Sequence, residues 1–203
     1  AETLGSVTTL CTDKTGAVTQ NQLTVTKPCV DGQFVDITGT GYEPVGDFYA
    51  DGELITDLKK YPAARTALWV GTINNDAQLE SAGESEGKTT YRMVGDPTEG
   101  SILVAALKAG AAANVVNDNY PRKQEIPFDS ARKRMVTIHN IVNPGHGDIS
   151  PYVTNEKTNW YTIAVKGAPD VVLNLCNFQS RMDNTPVPLT PELRQQILNA
   201  NDQ

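Results

Sequence analysis

Residues 11–16 read Cys-Thr-Asp-Lys-Thr-Gly. A carboxylate beside a lysine, then a hydroxyl and a glycine, is a set of groups suited to accepting and holding a phosphoryl group. Asp13 is ionised at neutral pH and is the candidate nucleophile. Lys14 keeps that carboxylate available and can neutralise charge as the phosphoryl group arrives. Thr15 offers a hydroxyl and backbone groups to a metal or phosphate, and Gly16 lets the chain turn sharply. Phosphoryl transfer also needs Mg²⁺ and further acids to hold it. Those acids are not identifiable in the sequence. The competing reading is a strand-end turn in which Asp13 caps a helix. Cys11, two residues away, reads as a small buried spacer rather than a second nucleophile.

Three later stretches could deliver a nucleotide to that acceptor. In Gly95-Asp-Pro-Thr-Glu-Gly100, Glu99 can accept a hydrogen bond from an exocyclic amine such as adenine N6. The plainer account is a helix start with Thr98 as N-cap and Glu99 as the usual acid of the first turn. Phe128 lies in Pro127-Phe-Asp-Ser-Ala-Arg-Lys-Arg134. An exposed aromatic beside Arg132, Lys133 and Arg134 suits a base above it and phosphates beyond, and stacking on one base contributes about 1–3 kcal/mol. The alternative is a core phenylalanine next to a solvated basic turn. Lys166 precedes Gly167-Ala-Pro at a strand end, where its ammonium can meet a phosphate as a point charge and Gly167 allows close approach. The alternative there is a snorkelling edge lysine. His139, on a strand, and His146, in a loop, lack ligand spacing. None of these stretches is a GxGxxG or GxxxxGK[ST] motif. The argument is their conjunction, because each fits one part of ATP or its acceptor.

The elements that must position these residues follow from period and punctuation. Ser6–Cys11 reads as a short strand with Asp13 at its carboxyl end, where open α/β sheets place ligands. Residues 18–26 suit an extended crossing segment ended by Pro28, and residues 30–48 suit hairpins and open loops. Residues 56–82, through Leu79, read as a helical region started or interrupted at Pro62, and residues 81–89 read as a mobile solvent loop. A helix is expected over 98–113, with Leu103, Ala106, Leu107 and Gly110 at helical spacing. Strands are expected within 123–143 and at 160–166. A polar loop fills 144–158. Helices start at Pro169 and at Thr190-Pro191, with Thr190 as cap. The sum is α+β: an antiparallel sheet flanked by helices, preceded by a short strand of another domain.

The totals exclude several classes. The 203 residues suffice for one domain with a sizeable core, or for one domain and part of a second. Net charge is −7 and the pI about 4.8, the opposite of the balance a general nucleic-acid binder needs. No window approaches 18 consecutive apolar residues, so no membrane span is expected, and the start lacks the features of a signal peptide. Cys11, Cys29 and Cys176 form no ligand pair and suggest a reducing compartment.

The motifs, in their order and spacing, resemble those of the P-type cation-transporting ATPases, especially the calcium-pump-like and sodium/potassium-pump-like branch. The matching stretches are Cys-Thr-Asp-Lys-Thr-Gly at 11–16, Thr-Gln-Asn-Gln-Leu at 19–23 and Gly-Asp-Pro-Thr-Glu-Gly at 95–100. Pro-Phe-Asp-Ser-Ala-Arg-Lys-Arg-Met at 127–135 and Lys-Gly-Ala-Pro-Asp at 166–170 complete the set, which runs across nearly the whole chain. The resemblance implies that Asp13 is phosphorylated by ATP, with Lys14 assisting and Mg²⁺ held at Asp13 and the Thr15 carbonyl. It implies that Phe128 stacks on adenine and Glu99 contacts its amino group. Lys133 would lie on the phosphate side, and Lys166 and Gly167 would line the pocket.

The resemblance also implies a layout. Residues 1–21 would begin a phosphorylation domain, and 22–203 would form a nucleotide-binding domain inserted in it and shortened at its C-terminus. The partners would be the actuator, the remaining phosphorylation segment and the transmembrane domain of a whole pump, with no nucleic acid. The setting would be the cytoplasmic face of a membrane, and the piece itself would be soluble and without turnover. Ca²⁺ is the favoured ion, with Na⁺/K⁺ or H⁺ as alternatives. An aspartyl-phosphate phosphatase and a non-catalytic interaction domain are the competing classes. Two departures stand out: Ala17 and Val18 follow Gly16 where the family has Thr-Leu, and Ser130 stands where relatives often have arginine.

Overall fold

The structure, a computed structural model, describes residues 22–85, 87–145, 149–152 and 160–202. The expectations for Cys11, Asp13, Lys14, Thr15, Ala17 and His146, and for a domain boundary after residue 21, lie outside these residues. Every strand pairing among the described residues is antiparallel, as the α+β reading anticipates. The strands form several small sheets rather than one. β1 (Cys29–Val30), β2 (Gln33–Ile37), β3 (Phe48–Ala50) and β4 (Glu53–Leu54) make a four-stranded meander. β5 (Gln78–Ser85) and β6 (Lys88–Val94) make a hairpin, as do β10 (Phe178–Ser180) and β11 (Pro186–Pro188). β7 (Arg122–Asp129), β8 (Arg134–Asn140) and β9 (Tyr161–Gly167) make the sheet that carries most of the singled-out residues.

Helices cover these sheets: α1 (Pro62–Ile73), α2 (Pro97–Lys108), α3 (Ala113–Asn119), α4 (Pro169–Leu173) and α5 (Pro191–Asn201). Four of the five start with proline at the first turn, where its missing N–H costs nothing. The core lies where α1 and α2 meet the meander and the β7–β9 sheet. Val35, Ile37 and Phe48 pack with Leu68, Trp69 and Ile73 of α1, Ala105 and Ala106 of α2, and Ile141 and Ala164. Trp69 meets the rings of Tyr120 and Tyr152 edge-on, with centroids 5.1 and 5.7 Å away. β8 alternates strictly: Met135, Thr137 and His139 face inward and are buried.

The β1–β2 turn does a second job. Asp31 sits there in the left-handed region at φ +52°. Its carboxylate accepts from the Met182 amide (3.0 Å), Arg181 Nη1 (3.2 Å) and Gln179 Nε2 (3.3 Å). Met182 O in turn accepts from the Ala63 amide at the start of α1 (3.0 Å). The β10–β11 hairpin is thereby fastened to the opening of the described domain.

Four expectations are corrected. The helical region expected over 56–82 ends with α1 at Ile73, and Leu79 lies on strand β5, paired with Met93. The cap of α2 is Asp96, not Thr98: its carboxylate accepts from the Thr98 amide (2.8 Å) and the Glu99 amide (3.2 Å). Pro97 takes the first helical position, which moves the cap one residue before it. The helix expected over 98–113 ends at Lys108, with Gly110 at φ +86° beyond it, and α3 starts afresh at Ala113. Residues 81–89 are the tip of the β5–β6 hairpin rather than a loop, paired from Gln78↔Val94 to Ser85↔Lys88 with a bulge between Ser81 and Gly83. Most of that hairpin is exposed on both faces, so no apolar alternation marks it in the sequence.

Candidate functional site

The Asp96 cap fixes the first turn of α2 and places Glu99 there, its side chain 15% exposed. β9 brings Lys166, 22% exposed, to the same point. Lys166 Nζ lies 2.5 Å from Glu99 Oε1 and 2.5 Å from the Asn74 carbonyl oxygen, with Asn74 Oδ1 at 3.4 Å and Met135 Sδ at 3.5 Å. The second Glu99 oxygen, Oε2, accepts from the Asp76 amide at 2.9 Å. Each carboxylate oxygen keeps lone-pair capacity after one such bond. The lysine therefore neither snorkels nor stands free. It forms an ion pair with the glutamate that lies 67 residues before it. Behind its stem is an apolar recess of about 250 Å³, lined in part by Val35, Phe48, Leu68 and Ile102.

The loop that closes around this pair, Asn74–Asp76, follows α1. Asn74 is fully buried, and its Nδ2 donates to the carbonyls of Ala164 (2.8 Å) and Met135 (3.2 Å). Asn75 Nδ2 donates to Glu99 O (2.9 Å) and Gly71 O (3.1 Å). From β7, Arg122 grips the same loop: Nη1 meets Asp76 Oδ1 and Glu125 Oε2, each at 2.6 Å, and Nη2 donates to the carbonyls of Asn75 (2.8 Å) and Ile73 (3.3 Å). Burial works against the Arg122 charge, but the bonds and charges of Asp76 and Glu125 outweigh it and hold its pKa above the ordinary value. Sequence reasoning missed Asn74, Asp76, Arg122 and Met135. A run of Asn-Asn-Asp at a helix end signals a capping loop. Their partners, up to 92 residues away, leave no local mark.

The third part of the site is the β7–β8 hairpin. Between the pairs Ile126↔Val136 and Asp129↔Arg134 the register slips, so Pro127 and Phe128 together oppose Met135. Met135 pairs on its other side with Lys166. Phe128 is 60% exposed and so is not a core residue. Asp129 Oδ1 accepts from the amides of Ala131 (3.1 Å) and Arg132 (2.9 Å), which winds the turn. Lys133 closes the turn at φ +51° with its side chain in solvent, and Ser130 is exposed. Gly167 lies against that turn. A Cβ on Gly167 would collide with the Lys133 carbonyl oxygen and come within 2.8 Å of Arg134 Cα, so its close approach is to backbone. Glu99, Lys166 and, across Met135, Phe128 share one end of the β7–β9 sheet. Lys133 sits at the hairpin tip.

An acceptor-only carboxylate neutralised by an ammonium, an exposed aromatic two strands away and a basic turn beyond it fit the three parts of a nucleotide. Among the described residues, no three His, Cys, Asp or Glu side chains gather as a metal site. No single helix among the described residues is long and apolar enough to cross a membrane.

Residues 64–203 match the family model described as P-type ATPase, cytoplasmic domain N. The chain belongs to the P-type ATPases. It is 38% identical to a calcium-transporting ATPase of Bacillus subtilis over 172 residues, which is 85% of this chain and 17% of that protein. It is 35% identical to the cation-transporting ATPase pma1 of Synechocystis over 181 residues, 86% of this chain and 17% of that protein. A calcium-transporting ATPase of Listeria monocytogenes matches 100% of the chain at 30% identity, and the match covers 18% of its length. This P-type ATPase chain thus spans less than a fifth of the length of these relatives. Of the antiparallel sheets flanked by helices, those of β5–β11 lie within the match to cytoplasmic domain N.

Proposed function

We propose that residues 22–203 bind ATP for a cation pump that phosphorylates Asp13, and that residues 1–21 open its phosphorylation domain. The observation that carries this reading is the Glu99–Lys166 pair at one end of the β7–β9 sheet, with Phe128 exposed beside it. Adenine stacks on Phe128, and its amino group donates a hydrogen bond to Glu99. The phosphates run toward Lys133, and Gly167 keeps the hairpin turn tight against β9. At the acceptor, Lys14 steadies the carboxylate of Asp13, and Mg²⁺, when bound at Asp13 and the Thr15 carbonyl, offsets phosphate charge. Two of the three relatives described are named as calcium-transporting, which favours Ca²⁺ as the ion of the whole pump. In that pump the chain works at the cytoplasmic face with the actuator, the remaining phosphorylation segment and the transmembrane domain. Alone it binds nucleotide without turnover or transport.

The test is a titration with ATP, with and without Mg²⁺, followed by amide NMR. Shifts at Glu99, Phe128, Lys133 and Lys166 with little change near Asp13 are the expected result. A folded sample silent at those four residues overturns the binding assignment. Mg²⁺-dependent phosphate incorporation at Asp13 in the isolated chain overturns the absence of turnover.

A further inference from the structure

Asn74 joins the strands on either side of the site to its lysine while touching no surface. Its two N–H groups are spent on the carbonyls of Met135 and Ala164, on β8 and β9, and its two oxygens face Lys166 Nζ. A side chain that is fully buried and bonded on both ends has one orientation. An ammonium has three protons, and here they point at Glu99 Oε1, Asn74 O and Asn74 Oδ1. None is left for a phosphate. We propose that Asn74 is a positioning residue: its carboxamide, keyed to the backbone of β8 and β9, presents Lys166 to Glu99 and thereby sets the base selectivity of the site.

This inference rests on the nucleotide reading above and specifies it. Lys166 acts on the ligand through Glu99. It holds one oxygen of the carboxylate while the Asp76 amide holds the other. A carboxylate fixed in this way accepts from a purine with an amine at C6 and repels one with a carbonyl there. Asparagine is needed because aspartate offers no donor to the two carbonyls, and leucine or serine leaves at least one without its partner.

The experiment compares adenosine, ADP, ATP and GTP on the wild-type chain, Asn74→Ser, Lys166→Met and the double variant. The wild type should prefer ATP to GTP. Asn74→Ser should weaken ATP binding about 5- to 10-fold, the scale of one directed hydrogen bond, with the same loss for adenosine and little loss for GTP. In the Lys166→Met background it should change nothing further, because a residue acting through another loses its effect when that residue is gone. A loss that grows with the number of phosphates, an equal loss for ATP and GTP, or additive single-variant effects each overturn the proposal. Should Asn74→Ser not fold, the Lys166 ammonium decides. In the nucleotide-free wild type it should give a protected proton–nitrogen signal that Glu99→Gln removes, and no such signal overturns the proposal. A wild type that shows this signal yet binds no nucleotide overturns the ATP reading, and with it the selectivity, while the pairing of Lys166 with Glu99 stands.

Discussion

The two sides of the candidate site are built by opposite means. On one side Glu99, Lys166, Asn74, Asp76 and Arg122 come from four different segments and are tied to each other by bonds mostly of 2.5–2.9 Å. On the other side Phe128, Ser130 and Lys133 come from one hairpin, wound by bonds of its own turn, with their side chains in water. The first arrangement fixes a direction, as the recognition of a hydrogen-bonding edge demands. The second offers a flat face and mobile charge, which tolerates the movement of a ligand that must be delivered elsewhere. Stability and affinity should therefore separate along this line.

The largest effect is expected from Arg122→Ala. It strips Asp76, Glu125 and two loop carbonyls of one partly buried guanidinium, and should lower unfolding free energy by about 2–3 kcal/mol in denaturant titration. A change below about 0.5 kcal/mol would show that the loop does not depend on it. Phe128→Ala should do the reverse. The melting temperature should hold, while ATP affinity falls roughly 5- to 150-fold, the equivalent of about 1–3 kcal/mol of stacking. Loss of stability without loss of affinity would make Phe128 a structural residue and erase the contrast.

A pH scan probes the packed side more gently. His139 is 1% exposed, with Nδ1 2.8 Å from the Tyr120 carbonyl oxygen, so Nδ1 carries the proton and donates. Burial lowers its pKa below the ordinary 6.5, the Tyr120 carbonyl opposes this, and the Arg122 charge adds to the lowering. Below about pH 6.5 the unfolded chain takes up a proton that the folded one refuses. Stability should drop as pH falls from there toward the lowered folded value, by at most about 1.4 kcal/mol per pH unit. His139→Gln should flatten that slope, and an unchanged slope would assign it to the carboxylates instead. The smallest effect is expected on the exposed β5–β6 hairpin. There Arg92→Ala removes the 2.6 Å pair with Glu80 and should cost about 0.5 kcal/mol or less.

What the sequence discloses follows the same division. The hairpin turn reads directly, because Pro127-Phe-Asp-Ser-Ala-Arg-Lys-Arg carries its turn chemistry and its charges in one stretch. The alternation of β8 and the proline-led helix starts at 62, 169 and 191 read directly as well, since local sterics decide them. Asn74 and Arg122 do not. Their roles exist only once α1, α2 and β7–β9 converge, and polar residues next to a helix end resemble any other cap. The Thr98 reading failed because Pro97 takes the first helical position and the cap is the residue before it, Asp96. The 81–89 reading failed because a hairpin wet on both faces has no hydrophobic period.

The Asp31 carboxylate has a mechanical corollary. It joins residue 31 to residues 179–182 by three bonds, and so ties the β1–β2 turn to the β10–β11 hairpin. A load applied across those strands would act on the clasp in parallel, bond by bond in shear, before reaching α1 or the β7–β9 sheet.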